Sequence, residues 1–330
     1  MMKAAIVGCG TMGGIYARNL RLLDGVELVA ACGRTPESAR AFAGAHGIRA
    51  FASLEEMVRE ADPDVVCIAL PNHLHKEFVL RTAALGRHVI CEKPMALTPE
   101  DGEAMIAAAE AAGVRLIIGH VLHFLPEYRI IRELVAAGRI GRVGVAHAKR
   151  SGPHPGYPGS WFNDPQKSGG VIMDLMIHDI EFLRRLLGDP ETVYAVNKEA
   201  GGIDFAAVTL QFRSGAIAHL ESCWGYPTPF VQALELAGDR GVLAYDSLES
   251  RGFAVFRPPG REKAPERIVV PKQPTAFEPA YFELKHFLEC IENNLEPAVT
   301  ARDALEAVRI AAAARESART GLPVRMGGGS

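Results

Sequence analysis

Short apolar segments alternate with amphipathic segments over the first 120 residues of the chain. Near-continuous apolar runs predict strands at 3–7, 26–31, 64–69, 88–91 and 115–119. Apolar residues at helical spacing predict helices between them, at 12–23, 37–45, 74–85 and 99–112. Strands that are apolar on both faces are typical of a parallel sheet covered by helices on both sides. This part of the chain is therefore predicted to be α/β, with a doubly wound parallel sheet.

The pattern changes after residue 124. A predicted helix at 124–137 and a strand at 143–149 lead into the loop SGPHPGYPGSWFNDPQKSGG and then into a helix that ends before Gly188. Strand-like alternation follows from 192 to about 270, and helices near 276–292 and 301–320 close the chain. We predict a C-terminal α+β domain whose open sheet is mostly antiparallel.

Composition narrows the possible functions. The 330 residues carry a formal net charge of −3, so we expect no nucleic-acid partner. No run of about 18 apolar residues is present, so we expect no membrane span and a cytoplasmic protein. The six cysteines lack the spacing of a zinc site, and we interpret them as reduced thiols in a protein without a bound metal.

The first predicted strand runs directly into a glycine-rich turn, VGCGTMGG. Gly8, Gly10 and Gly13 form G-x-G-x-x-G between a strand and a helix, which is typical of a Rossmann domain that binds a dinucleotide. The second strand ends in CGRTPES, where an acidic residue for the adenosine ribose is replaced by Gly33. Arg34 instead offers a cationic fork for a 2′-phosphate, so NADP is favoured over NAD. Alternatively, Arg34 stacks on the adenine, which would serve either cofactor.

Further polar residues follow the third and fourth long strands, in PNHLHKEF (71–78) and CEKPM (91–95). The carboxyl ends of parallel strands are where such sheets bind ligands, although Glu92 and Lys93 could also be a solvated surface pair. Asp174 and His178 lie four residues apart in the apolar stretch GGVIMDLMIHDIEF. On a helix the two side chains would share a face, as a catalytic pair or as a satisfied structural pair.

The chain resembles the Gfo/Idh/MocA oxidoreductases from end to end, through VGCGTMG, PNHLH, CEKPMAL, GHVLHFLPEY and WFNDPQKSGGVIMDLMIHDIEFLRRLLGDP. The resemblance implies a Rossmann domain at 1–122, a substrate-binding and oligomerisation domain at 123–326, and hydride transfer between a nicotinamide and a sugar or cyclitol hydroxyl. We expect a flexible tail at 327–330 and a homodimer or homotetramer formed through the C-terminal sheet.

The resemblance also implies the catalytic residues. Lys93 matches the family's lysine, which hydrogen-bonds the reacting oxygen, and the bond before Pro94 is expected to be cis. His178 is expected to be the general base and Asp174 its orienting partner. His123 stands where many members have arginine.

The prediction extends to the residues that bind the cofactor and the substrate. The residues expected to hold the cofactor are Gly8, Gly10, Thr11, Met12, Gly13, Arg34, Thr35, Ser38, Pro71, Asn72, His75, Glu92 and Lys93. The residues expected to contact the substrate are Lys93, His120, His123, Tyr157, Trp161, Asn163, Asp174 and His178. For Tyr157 and Trp161, loop packing or a subunit contact is the alternative. Two rival functions are a glycosidase that uses tightly held NAD in a redox cycle and a non-catalytic nucleotide-binding regulator.

Overall fold

The computed structural model describes residues 1–227, 229–248, 253–256, 267–270 and 277–327, so most of the predicted tail lies outside it. Its α-helices are α1 Thr11–Leu20, α2 Pro36–His46, α3 Leu54–Ala61, α4 His75–Ala84, α5 Pro99–Ala112, α6 Pro126–Ala136, α7 Pro165–Ser168, α8 Ile177–Leu187, α9 Pro279–Glu292 and α10 Ala301–Thr320. Its strands are β1 Met2–Val7, β2 Val26–Cys32, β3 Arg49–Phe51, β4 Val65–Ile68, β5 His88–Glu92, β6 Leu116–Gly119, β7 Val143–Gly152, β8 Pro190–Ala200, β9 Ile203–Phe212, β10 Ile217–Trp224, β11 Val231–Gly238, β12 Gly241–Asp246, β13 Phe253–Phe256, β14 Arg267–Val270 and β15 Val324–Arg325.

The chain divides into two units, of which the first comprises Met1–Phe124 and Ala276–Val308. This unit contains a six-stranded sheet in the order β3-β2-β1-β4-β5-β6, and every neighbouring pair is parallel. All four residues of β4 and of β6 are buried, as strands covered on both faces must be. The predicted doubly wound parallel sheet is confirmed.

One strand of this sheet and one helix of the same unit were not predicted. Strand β3 has only three residues, which is too short for a periodic pattern to show. Helix α3 is preceded by its N-cap residue Ser53, whose side chain accepts a hydrogen bond of 3.2 Å from the backbone N–H of Glu56.

Helix α9 packs in the first unit, although the sequence analysis placed it in the second domain. Leu284, Phe287 and Leu288 are buried in the same core cluster as Ile6 and Leu20 of the parallel sheet and its first helix. Amphipathic spacing shows that a helix buries one face, but it does not show which sheet covers that face. The assignment of functional domains to 1–122 and 123–326 stays a prediction.

The second unit comprises Leu125–Thr275 and Arg309–Ser330. Its nine-stranded sheet has the order β14-β13-β12-β11-β7-β10-β9-β8-β15, in which only β7 and β10 pair in parallel. The prediction of a mostly antiparallel sheet is confirmed. Throughout the described residues, no helix combines the length and apolarity that crossing a membrane requires.

The helix predicted to carry Asp174 is not uniform. Helix α7 ends at Ser168, and the two glycines that follow, Gly169 and Gly170, have positive φ angles of 84° and 72°. A π-helical turn, Ile172–Met176, follows and continues into α8. Single π turns within α-helices frequently occur at functional sites.

The start of this helical segment is fixed by a buried carboxylate on a neighbouring strand. Asp204 Oδ2 accepts a hydrogen bond of 2.8 Å from the backbone N–H of Val171. The amide of Asn197 donates to Asp204 Oδ1, also at 2.8 Å. Because Asp204 satisfies an N–H that the helix cannot, it stabilises the turn that precedes Asp174.

Candidate functional site

The glycine turn after β1 is closely packed at two of its three glycines. Gly8 has φ 112°, and a Cβ on it would collide with the carbonyl oxygen of Ala69. A Cβ on Gly13 would collide with the carbonyl oxygen of Gly8. Gly10, by contrast, has open space of at least 4 Å where a Cβ would point. Gly8 and Gly13 are therefore required by the fold of the turn, and Gly10 leaves the backbone accessible to a ligand.

The turn opens directly into the N-terminus of α1. Gly10 is its N-cap residue, no side chain in the described part of the chain caps it, and its first turn holds no acidic residue. Thr11 and Met12 begin the helix and are exposed. Free N–H groups and the positive end of the helix dipole favour an anion, so this turn fits the pyrophosphate of a dinucleotide.

The carboxyl end of β2 lies next to this turn. A Cβ on Gly33 would lie 2.8 Å from Ser38 Oγ and 3.1 Å from Cys9 Sγ, so the position has no room for an acidic side chain. Arg34 is exposed. Thr35 and Ser38 cap α2 reciprocally, since each side-chain oxygen accepts the other's backbone N–H at 3.2 Å.

The carboxyl ends of β4, β5 and β6 carry the other predicted residues of the first unit. These three strands are neighbours in the parallel sheet, so their carboxyl ends lie along one edge. The residues at this edge are Pro71 and Asn72 after β4, Glu92 and Lys93 at the end of β5, and His120 and His123 after β6. Asn72, Glu92, His120 and His123 are buried, and Lys93 is half-buried.

His75 supports the loop that carries Lys93. The imidazole is fully buried, with Nδ1 at 2.7 Å from the carbonyl oxygen of Pro94 and Nε2 at 2.9 Å from that of Leu70. The Lys93–Pro94 bond is cis, as expected. These contacts connect the loops after β4 and β5, and a direct contact between His75 and the cofactor stays a prediction.

Asp174 and His178 lie on one continuous helical segment of the second unit. Asp174 is in the π turn and buried, whereas His178 is in the first turn of α8 and half-buried. A buried carboxylate four residues from a partly accessible imidazole is an arrangement suited to orienting a general base. The contact between the two side chains stays a prediction.

A buried ion pair next to His178 anchors α8 to the sheet. Arg150 of β7 donates from Nε and Nη2 to the two carboxylate oxygens of Asp179, each at 2.8 Å. The guanidinium also donates to the Tyr128 hydroxyl at 3.0 Å and to Gln232 at 3.1 Å. Burial opposes the charge on Arg150, but the Asp179 carboxylate raises the pKa of Arg150 above its usual range.

Sequence reasoning missed this ion pair. Its members are 29 residues apart, and the only signal in the sequence was the acidic residue next to His178.

The predicted loop residues Trp161 and Asn163 contact other residues of the second unit. Trp161 stacks on Phe162 with ring centroids 3.8 Å apart, and Phe162 meets Trp224 edge-on. Asn163 donates to the backbone oxygen of Tyr157 at 2.8 Å, and the Tyr157 side chain is exposed. The described residues include no cluster of three or more acidic, His or Cys side chains that could hold a metal ion.

Comparison with known proteins adds independent findings. Residues 2–120 match the model of an oxidoreductase family with an NAD-binding Rossmann fold, and residues 128–244 match the GFO/IDH/MocA C-terminal domain. The chain is 31% identical to a 1,5-anhydro-D-fructose reductase of Ensifer adhaerens, over 97% of each chain. It is 27% identical to a myo-inositol 2-dehydrogenase of Thermotoga maritima, over 96% of each. Among solved structures, it is similar to an aldose-aldose oxidoreductase of Caulobacter crescentus complexed with glycerol, with 29% identity, a TM-score of 0.85, and 98% and 99% of the two chains covered.

Proposed function

The chain belongs to the Gfo/Idh/MocA oxidoreductase family, and on this premise we propose that it transfers a hydride between NADP and a hydroxyl-bearing carbon of a sugar or cyclitol. The observation that carries the proposal is the glycine turn at the uncapped N-terminus of α1, in a parallel sheet whose other carboxyl ends present polar side chains. The reductase and dehydrogenase names of the two relatives support a sugar or cyclitol as the substrate class.

The residues of the first unit fit a nicotinamide dinucleotide. Gly8, Gly10 and Gly13, with the first residues of α1, would hold the pyrophosphate. The exposed Arg34 would bind a 2′-phosphate, and the lack of space at Gly33 disfavours the acidic residue that would bind an unphosphorylated ribose. When bound, the nicotinamide supplies the hydride acceptor.

Three side chains are proposed to carry the chemistry. His178 takes the proton of the substrate hydroxyl, so that hydride and proton leave together and the carbon becomes a ketone or aldehyde carbon. Asp174 orients the imidazole and stabilises its charged form. Lys93 donates a hydrogen bond to the oxygen as negative charge develops on it. His120, His123, Tyr157, Trp161 and Asn163 are proposed to contact the substrate.

The test is reduced-nicotinamide absorbance with NAD and NADP offered separately against sugars, sugar acids, inositols and nucleotide sugars. His178→Asn should lower kcat about 10²- to 10⁴-fold and leave cofactor affinity unchanged, because His178 is proposed to act on the substrate alone. Lys93→Met should lower kcat about 10²- to 10³-fold, because the developing negative charge loses a hydrogen-bond donor. His73→Asn changes an exposed histidine and should leave turnover unaltered. A His178→Asn protein with normal turnover would show that another residue is the base.

Cofactor choice has its own test. Arg34→Ser should weaken NADP binding and leave NAD binding almost unchanged, because only NADP carries the 2′-phosphate. Arg40→Ser removes another exposed arginine, one that pairs with Glu37 on α2, and serves as the matched control. Equal weakening of both cofactors by Arg34→Ser would favour stacking on the adenine.

We also propose that the exposed face of the nine-stranded sheet joins copies of the chain into a homodimer or homotetramer. Val145 and Ile217 are partners in the β7–β10 register, and both are exposed. His147 and His219, the next pair on this face, stack with ring centroids 5.4 Å apart. Apolar and aromatic side chains at neighbouring positions of an exposed sheet face suit self-association better than contact with water.

A further inference from the structure

Two glutamates are buried near the point where Lys93 leaves β5. Glu92 is the last residue of β5 and 8% exposed, and its Oε2 accepts a hydrogen bond of 3.3 Å from the backbone N–H of Lys93. Glu283 is on α9 and 2% exposed. Glutamates are rarely buried to this extent unless a partner neutralises them.

Both glutamates and a tyrosine converge at the end of β6. Gly119 is the register partner of Glu92. A Cβ on Gly119 would lie 3.0 Å from the Tyr16 hydroxyl oxygen and 3.7 Å from Glu283 Oε1. Tyr16 on α1 is fully buried. Side chains from α1, β5 and α9 therefore surround one point at the carboxyl edge of the parallel sheet.

Burial and neighbouring carboxylates shift the pKa values of several groups around this point. Burial raises the pKa of Glu283 well above its usual value, and the negative charge of Glu92 raises it further. Burial likewise raises the pKa of Tyr16, with added effects from Glu92 and Glu283. The other titratable groups affected are Cys67 on β4 and Cys91 on β5, and burial followed by the charge of Glu92 raises the pKa of both thiols.

Two carboxylates in one dry site repel each other, so one of them retains its proton. We propose that Glu283 is a positioning residue, which as a neutral carboxylic acid keeps a single negative charge at the site, so that Glu92 stays in place to hold the backbone N–H of Lys93. Ionisation of Glu283 would place a second negative charge beside Glu92 and displace Glu92 from that N–H. The proposal rests on the proposed function only for the catalytic role of Lys93.

The protonation state can be tested without any substrate. Infrared difference spectra at pH 8 should show the carbonyl stretch of a protonated carboxylic acid in the wild type, and Glu283→Gln should remove that band. Glu289→Gln makes the same change at an exposed position of α9 and should leave the band in place. An unchanged band in Glu283→Gln would overturn the proposal, even if the proposed enzymatic function is correct.

The pH dependence of stability gives a second test. A carboxyl group whose pKa is raised in the folded state stabilises most at pH values below the unfolded pKa, and this contribution is lost as the pH rises through the folded pKa. In the wild type, amide hydrogen exchange of α9 peptides should therefore accelerate between pH 5 and pH 9 by more than the increase that unstructured peptides show over the same range. Glu283→Gln should lack this excess. The same excess in Glu283→Gln and the wild type would overturn the proposal.

Turnover tests the link to Lys93. Once a substrate is known, the alkaline limb of the kcat profile should begin at higher pH in Glu283→Gln than in the wild type, because the amide cannot ionise. Glu289→Gln should give the wild-type limb. Coincident profiles for Glu283→Gln and the wild type, together with a lost infrared band, would mean that Glu283 is protonated but does not position Lys93.

Discussion

Replacing Asp179 by Asn tests whether the buried ion pair holds α8, and with it His178, on the sheet. The substitution almost conserves volume, so it opens no cavity, but it leaves the Arg150 guanidinium charged in a site where its side chain is 3% exposed. Removal of one partner from a buried ion pair costs about 3–5 kcal/mol. The bonds from Arg150 to Tyr128 and Gln232 remain, but both are bonds to neutral groups. We therefore expect the free energy of unfolding of the second unit to fall by about 3–5 kcal/mol.

Tryptophan fluorescence during urea unfolding is the assay. The chain has two tryptophans, Trp161 and Trp224, and both belong to the second unit, so their emission follows the unit that contains the ion pair. Glu221→Gln is the matched control, because Glu221 pairs at 3.0 Å with Lys149, the neighbour of Arg150, where both side chains are well exposed. Such a surface pair contributes about 0–1 kcal/mol.

The double variant Arg150→Met/Asp179→Leu separates charge from packing. Replacing a whole buried ion pair by apolar residues is often neutral or stabilising by about 1–4 kcal/mol, so the double variant should be more stable than Asp179→Asn. If Asp179→Asn loses no more stability than Glu221→Gln, the reasoning about an uncompensated buried charge is refuted.

Three further predictions concern other parts of the chain. Gly13→Ala should lower the midpoint of thermal unfolding and abolish NADP binding, because the added methyl group collides with the Gly8 carbonyl oxygen. Gly10→Ala should keep the midpoint and only weaken NADP binding, because a Cβ there meets open space. Equal midpoints in the two variants would contradict the packing described. Burial lowers the pKa of His286, whose Nε2 accepts a hydrogen bond of 2.9 Å from the Ala298 N–H. The neutral imidazole therefore contributes its full stabilisation of the folded state above about pH 6.5, and this contribution is lost as the pH falls through the pKa of the folded state. Hydrogen exchange near Ala298 should show this loss in the wild type and not in His286→Gln. Ile217→Lys should reduce the molar mass in light scattering to that of the monomer, and an unchanged mass would exclude the sheet face as the interface.

Local patterns sufficed for the parallel sheet and its glycine turn. Gly8, Gly10 and Gly13 follow a buried strand at fixed spacing, and the steric roles of such glycines are the same wherever the turn occurs. The polar residues after β4 and β5 could be placed at one edge because parallel strands end on the same side. The predicted roles of Lys93 and His178 came from resemblance rather than from geometry.

The remaining features depend on contacts between distant residues. The Arg150–Asp179 pair joins a strand to a helix 29 residues later, and no periodicity connects the two. Glu283 reads as a polar position on an amphipathic helix until α9 is seen to pack beside the sheet of the first unit. The π turn at 172–176 differs from an α-helix in its hydrogen-bond register, which hydrophobic spacing does not record.

That π turn lets the segment before α8 hold one residue more than a regular α-helix would. A π turn closes its hydrogen bonds one residue later than an α-helix does, so it accommodates an extra residue in the helix. Because a π turn also advances less per residue than the roughly 100° of an α-helix, the residues on its two sides keep nearly the same angular phase. The extra residue is thus confined to the turn that carries Asp174, where it pushes the backbone outward without rotating α8 against the residues before it. Deleting one residue of 172–176 other than Asp174 would remove this outward displacement, although every side chain involved in the proposed chemistry was still present.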